Sequence, residues 1–234
     1  MTNVRPSRPV RFAMRCVAFA LVAWLLLSVG AVLALRFVPP PLTAMMLEQP
    51  RPLHEVRYDW RDRRQLAPTI ARAVIASEDQ RFLAHHGFDF DQLQIAIDEY
   101  RAGDELRGAS TITQQVAKNL FLWSGRSFAR KGLEAYFTVL LEVCWPKQRI
   151  LEVYLNVVEL GDGVFGVEAA ARRFFGVSAS ALSAEQAALL AAVLPNPHKL
   201  FVDRPSSYVR SRQSWILGQM KLLETRGHYR GLGW

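Results

Sequence analysis

Val17 to Leu35 is a run of nineteen residues without a charged side chain. As an α-helix it is roughly 28 Å long, close to the hydrocarbon thickness of a bilayer. Arg5, Arg8, Arg11 and Arg15 precede it and supply half of the formal net charge of +8. By the positive-inside rule they hold the N-terminus in the cytoplasm, which leaves the rest of the chain on the far side. Val32-Leu33-Ala34 resembles a cleavage site, but the apolar run exceeds the usual h-region of a signal peptide, so a retained anchor is expected. The chain then divides into a basic tail (1–16), a transmembrane helix (17–35), a proline-rich linker or membrane-proximal arm (36–55) and an extramembrane domain (56–234). Outside the tail the positive excess is mild and suits an anionic membrane surface or a phosphorylated substrate. No Lys/Arg run interleaved with aromatics appears, which argues against nucleic acid. Cys16 and Cys144 are the two cysteines, and they form neither a disulfide framework nor a Cys-x-x-Cys zinc site.

The extramembrane pattern is mainly α. Pro39-Pro40-Pro41, Pro50 and Pro52 favour extended chain, with Met45, Met46 and Leu47 placed for contact with lipid or with a core. Val56 to Trp60 suits a short strand. Pro68 suits a first helical position. The helix it opens is expected to pass Glu78 and reach Gly87, so that Glu78, Phe82 and His85 share a face. A second helix opens at Asp89 with Gln92 as in a capping box, and it presents Phe90, Leu93, Ile97 and Tyr100 until Gly103. Ser110 is a candidate N-cap for a helix with an Ile112, Val116, Leu120 stripe. Arg130 to Glu134 opens another helix, with Leu133, Phe137, Leu140/Leu141 and Cys144 on its buried side. Pro146 starts a helix running through Tyr154 to a stop at Gly161, followed by the Val164 to Phe175 segment. Ser183 to Gln186 is a capping box before Ala187 to Leu194. Tyr208 to Leu223 is the last helix, with Trp215/Ile216, Met220 and Leu223 facing the core. No period of twenty to fifty residues repeats, which excludes a solenoid.

Two carboxylates keep unusual company. Glu78 and Asp79 close the first extramembrane helix, where an acidic pair is ordinarily a solvated terminus. Glu134 has Arg130 and Lys131 four and three residues before it, so the three side chains can meet. That pattern describes either a surface ion pair or a phosphate clamp ordered by an acid. Thr111, Gln114, Gln115 and Lys118 form a helix face richer in hydrogen-bonding groups than a solvated face needs. Paired carboxylates suit chemistry at an anomeric carbon. Cations suit an anionic leaving group such as a diphosphate, which needs no proton, and this frees the other carboxylate to act as a general base.

Five stretches, in order, resemble the peptidoglycan glycosyltransferase family, and within it the monofunctional biosynthetic branch. They are Glu78-Asp79…Phe82…His85…Gly87; Gly108-x-Ser110-Thr111-Ile112-Thr113-Gln114-Gln115…Lys118-Asn119; Arg130-Lys131…Glu134; Ile150-Leu151-Glu152…Tyr154-Leu155-Asn156 with its glycines; and Phe175-Gly176 with Leu182 to Leu194. Phe165 and Phe174 stand where that family often has tyrosine. The resemblance implies a lysozyme-like helical fold with donor and acceptor sites in one cleft. It implies Glu78 and Glu134 as catalytic, with Glu78 the base. It also implies Asp79, Phe82, His85, Ser110, Thr111, Gln114, Gln115, Lys118, Asn119, Arg130 and Lys131 around the substrate. The implied substrates are lipid II and the growing lipid-linked strand, joined with inversion while undecaprenyl diphosphate leaves. The implied location is the inner membrane, single-pass, with the catalytic domain periplasmic and division or wall-synthesis proteins as partners. No cofactor is required by the residues and no metal cage is evident, although family members often respond to Mg or Mn. No Ser-x-x-Lys occurs, so no transpeptidase nucleophile of the penicillin-binding type is expected. A lytic enzyme on this fold would share Glu78 without needing the Arg130/Lys131/Glu134 cluster, and a scaffold would need neither carboxylate.

Overall fold

A computed structural model describes residues 8–103, 110–125 and 127–234. Arg5 of the basic tail and Gly108 of the second stretch lie outside the described residues. The chain forms two compact units, 1–38 and 39–234.

The first unit is one helix, α1 (Arg8–Leu35). Its Pro9–Leu35 portion is long and apolar enough to cross a membrane, with a mean hydropathy of 2.6 over its most apolar window. Helical structure starts well before the uncharged run and carries Arg11 and Arg15. This is consistent with a single-pass anchor whose cationic end extends past the hydrocarbon.

The second unit begins with α2 (Ala44–Leu47), capped by Thr43, whose hydroxyl accepts from Met46 N at 3.2 Å. Residues 39–55, expected as a linker or arm, belong to this unit. Met46 is fully buried, Glu48 accepts from Ser124 N at 2.7 Å, and Tyr58 donates to Pro40 O at 2.7 Å. Helices follow as α3 (Pro68–Glu78), α4 (Phe90–Arg101), α5 (Ile112–Phe121), α6 (Phe128–Cys144) and α7 (Lys147–Val157). The last three are α8 (Val167–Phe175), α9 (Ala184–Val193) and α10 (Ser207–Thr225). The alanine-rich α9 is buried from Ala187 to Val193 and packs between α3 and α10, where small side chains permit close backbone approach. α5 packs on α6 and α7 through Ile112, Val116 and Leu120.

Strands β1 (Arg57–Tyr58), β2 (Glu159–Gly161) and β3 (Val164–Phe165) form a small sheet in the order β1-β3-β2. β1 runs parallel to β3 and β2 antiparallel to it. The helix expected to reach Gly161 therefore stops at Val157. A side chain at Gly166 would place its Cβ 2.4 Å from Asn156 O, and the backbone there takes φ +81°, so only glycine lets β3 turn back against α7.

Four further expectations are corrected. α3 ends at Glu78, and Asp79 leaves helical conformation at φ −162°, so the shared helical face of Glu78, Phe82 and His85 does not form. The Asp79 carboxylate is drawn instead to α5. Thr111, not Ser110, caps α5, in a capping box with Gln114. On α4 only Ala96 is buried, whereas Phe90, Leu93 and Tyr100 are exposed. A periodic stripe specifies a face but not a partner to cover it. On α10 Ile216, Met220 and Leu223 are buried while Trp215 is about half exposed.

Candidate functional site

Glu78 occupies the last position of α3 with its side chain 13% exposed. Its Oε1 accepts from Ser77 Oγ at 3.0 Å, its Oε2 accepts from Gln115 Nε2 at 3.1 Å, and Arg212 Nη2 of α10 stands 3.6 Å from Oε1. Gln115 Oε1 in turn accepts from the Tyr154 hydroxyl at 3.1 Å. Burial first, and then the charges of Glu78 and Asp79, push the Tyr154 hydroxyl well above its ordinary pKa, so it stays a donor. Glu78 is thus oriented by α3, α5, α7 and α10 while keeping part of its surface open.

Asp79 is spent on architecture. Its Oδ2 accepts from Ile112 N at 3.0 Å, and Oδ1 lies 2.8 Å from His85 Nε2. His85 Nδ1 accepts from Gly87 N at 3.2 Å, so the ring donates to Asp79 through Nε2. Thr111 Oγ1 donates to Gly87 O at 2.7 Å, and an added Cβ at Gly87 would meet Thr138 Cγ2 at 2.7 Å. Phe82 has no exposed surface, and Lys147 Nζ sits 4.5 Å from its ring centroid. Phe82, His85, Asp79 and Thr111 therefore hold the Glu78 loop against α5 and α6, and all four are buried. Gln114 and Asn119 are also buried, the former in the α5 capping box.

α6 supplies the second group. Ser127 caps it by accepting from Arg130 N at 3.1 Å. Glu134 accepts from Arg130 Nη1 at 2.6 Å and from Lys131 Nζ. The Glu134 side chain is 4% exposed and that of Lys131 is 47% exposed. Lys131 Nζ also reaches Ser110 Oγ at 3.5 Å. Arg130 Nε is buried without a partner. Lys118 of α5 feels this group: burial lowers its pKa, Glu134 opposes that, and Arg130 and Lys131 reinforce it. One helix thus serves both groups, with Gln115 on Glu78 and Lys118 facing the field of Glu134.

The arrangement supplies a partly open carboxylate among mostly neutral donors, and a separate cationic cluster set by a buried carboxylate. The first can take a proton and the second can hold anionic oxygens. Sequence reasoning brought out Glu78, Gln115, Lys118, Arg130, Lys131 and Glu134, and the structure gathers these into the two groups. It missed Ser77, Tyr154 and Arg212. Arg212 and Ser77 are 135 positions apart in sequence yet bond at 3.1 Å, a contact no local spacing signals.

Among the described residues two clusters have the chemistry for a divalent cation: Asp79, His85 and Asp89, and Glu159, Asp162 and His198. Both already have protein partners. Asp79 accepts from Ile112 N and His85, and Asp89 accepts from Arg81 and Gln92 N. Glu159 accepts from Gly163 N and Gln49 and meets His198, while Asp162 pairs with Arg51.

Comparison with known proteins is consistent with this chemistry. The family model described as Transglycosylase matches residues 45–221. Three proteins named biosynthetic peptidoglycan transglycosylase are similar along most of their length. That of Chromohalobacter salexigens is 54% identical, covering 92% of this chain and 94% of that protein. That of Shewanella oneidensis is 52% identical, covering 84% and 86%. That of Xanthomonas campestris pv. campestris is 47% identical, covering 97% and 95%.

Proposed function

Because this chain belongs to the transglycosylase family, a lysozyme-like helical family of glycosyltransferases, we propose that it polymerises peptidoglycan strands from lipid II. Glu78 takes the proton from the acceptor sugar hydroxyl as that oxygen attacks the donor's anomeric carbon. The bond from that carbon to the diphosphate breaks, and its electron pair stays on the departing phosphate oxygen. Attack from the opposite face turns the α-linked donor into a β-1,4 linkage and releases undecaprenyl diphosphate. Arg130 and Lys131, set by Glu134, hold the diphosphate oxygens as charge gathers there, with Lys118 beside them. Gln115 and Ser77 orient Glu78. No step is assigned to a divalent cation.

The observation that carries this reading is the contrast in company between the two carboxylates. Glu78 has neutral donors on both oxygens, one arginine at 3.6 Å and an open edge, as a proton acceptor requires. Glu134 is covered by two cations, as an organiser of a leaving-group site requires. The absence of Ser-x-x-Lys supports a polymerase without transpeptidase activity.

We also propose that α1 anchors the protein in the inner membrane with its N-terminus cytoplasmic and the catalytic unit periplasmic, working beside wall-synthesis or division proteins. A C-terminal reporter should be active only outside the cytoplasm. The test of the reaction is incubation of the purified protein with labelled lipid II and sizing of the products. Long glycan with release of the lipid diphosphate is expected. Unchanged lipid II, or cleavage of preformed glycan alone, would overturn it.

A further inference from the structure

A cavity of about 530 Å³ is lined by Arg51, His54, Glu55, Arg57, Asp162 and Arg173 among others, none of which belongs to the Glu78 or Glu134 groups. Its charges do not cancel. Arg51 pairs with Asp162, and His54 Nε2 stands 3.9 Å from Glu55. Three arginines thus face two acids, and among the described residues Arg57 and Arg173 pair with no carboxylate. A third donor is also idle: Arg51 Nε is buried without a hydrogen-bond partner. A buried guanidinium N–H with no acceptor is uncommon in folded proteins and calls for an oxygen-rich partner.

The arginines stand on fixed backbone. Arg57 belongs to β1, where its N–H donates to Gly163 O at 2.9 Å and its Cα pairs with Val164. Arg173 is in the last turn of α8, its guanidinium 5.8 Å from the Phe174 ring. Arg51 packs across the β2–β3 turn, where a Cβ at Gly163 would meet its Cδ at 2.8 Å. Planar guanidinium forks on rigid elements match the oxygens of phosphate better than a single lysine would. The volume exceeds what one phosphate fills and leaves room for a glycerol- or sugar-sized group.

We infer that this cavity is a second anion site, which binds a phosphate ester through Arg57 and Arg173, with Arg51 adding to the positive lining. The source is either an anionic phospholipid headgroup or a soluble sugar or glycerol phosphate. The inference is independent of the proposed reaction, because none of these residues belongs to the Glu78 or Glu134 groups.

The full chain in neutral detergent micelles would be titrated with glycerol 1-phosphate, and separately with phosphatidylglycerol or phosphatidylcholine doped into the micelles, each followed by ³¹P NMR. The same titrations would be run on Arg57→Gln/Arg173→Gln, which keeps side-chain size and hydrogen-bonding capacity, with a melting curve as a control of fold. Loss of two charge-assisted contacts should weaken binding at least roughly tenfold. Saturable binding of glycerol 1-phosphate that the double variant loses identifies a site for free phosphate esters. Binding of phosphatidylglycerol alone, lost in the same variant, identifies a headgroup site. Either ligand binding equally to both proteins, or neither binding to the wild type, overturns the inference. Polymerisation of lipid II by the variant should remain near wild type, which separates this test from that of the reaction.

Discussion

Glu134 and Glu168 are both buried carboxylates, and both accept from two cationic side chains. Glu168 accepts from Arg61 Nη2 at 3.2 Å, Arg172 Nε at 2.7 Å and Ala179 N at 2.7 Å. It ties the segment after β1 and the loop before α9 to α8. Glu134 accepts from Arg130 and Lys131, which lie one turn earlier on its own helix. Desolvating a carboxylate costs several kcal/mol before compensation, and an i,i+4 pair on one helix is worth only about 0.2–0.5 kcal/mol. Linking α6 to itself gives the architecture little in return for that cost. What Glu134 does fix is where two cationic side chains point. The same chemical unit joins distant segments at Glu168 and orders neighbours at Glu134, as the proposed leaving-group site needs.

The largest effect should come from the carboxylate that neither pattern fully claims. Glu78→Gln should lower polymerisation roughly 10²- to 10⁴-fold, because an amide cannot take the acceptor proton. The change is nearly isosteric and Gln115 keeps an oxygen to bond, so the melting temperature should stay close to wild type. Turnover of labelled lipid II by the purified variant checks this, and a near-normal rate would remove Glu78 from the role of base.

Glu168→Gln should do the reverse. Removing the charge of a buried carboxylate leaves Arg172 unmatched and Arg61 with Asp59 alone, and costs about 3 kcal/mol. For a unit of this size that is a drop of roughly 10 °C in melting temperature. The specific activity of the remaining folded protein should be unchanged. A catalytic loss without a stability loss would mean that Glu168 had been placed on the wrong side of the comparison.

Lys131→Ala should cut turnover on the order of 10²-fold with little change in melting temperature, since Lys131 is half exposed and, in the proposed reaction, meets charge that develops late. Glu134→Gln should follow it in activity and destabilise less than Glu168→Gln. Wild-type turnover in both variants would reduce the cluster to an ordinary ion pair.

Much of this was legible because caps are local. Pro68, Asp89 and Ser183 each start their helices where the side chain or ring dictates. The proximity of Arg130 and Lys131 to Glu134 follows from helical spacing alone. Of the sheet only β1 was legible, within Val56 to Trp60; β2 and β3, of three and two residues, carry no alternation to read. Asp79 misled for a related reason. A carboxylate at a helix end reads as solvated, whereas here it satisfies the Ile112 N–H, a backbone donor 33 positions away. Arg212 escaped notice because its partners come from remote segments, and so did the Arg61 partner of Glu168. The site's own helix was legible and its supports were not.

The smallest effect tests the comparison through pH. Burial, the largest single influence on the Glu168 carboxyl, works to raise its pKa. The Ala179 N–H, Arg172 and Arg61 together outweigh it and leave the group below its ordinary value. A carboxyl depressed in the folded state binds fewer protons there than in the unfolded chain. Its stabilisation is therefore complete above the unfolded value of about 4.3 and disappears as pH falls through the folded value. Lys118 gives a slope of the same sign at the other end. Burial lowers its pKa, so the unfolded chain keeps that proton longer, and stability rises with pH between the lowered value and about 10.4. Melting temperatures of wild type and Glu168→Gln, measured from pH 7 down to pH 3, isolate the acidic arm, since the other carboxylates titrate in both proteins. The gap between the two should be widest near neutrality and narrow below about pH 4.3. A gap that stays constant to pH 3 would mean that Glu168 owes its place to hydrogen bonding rather than to charge.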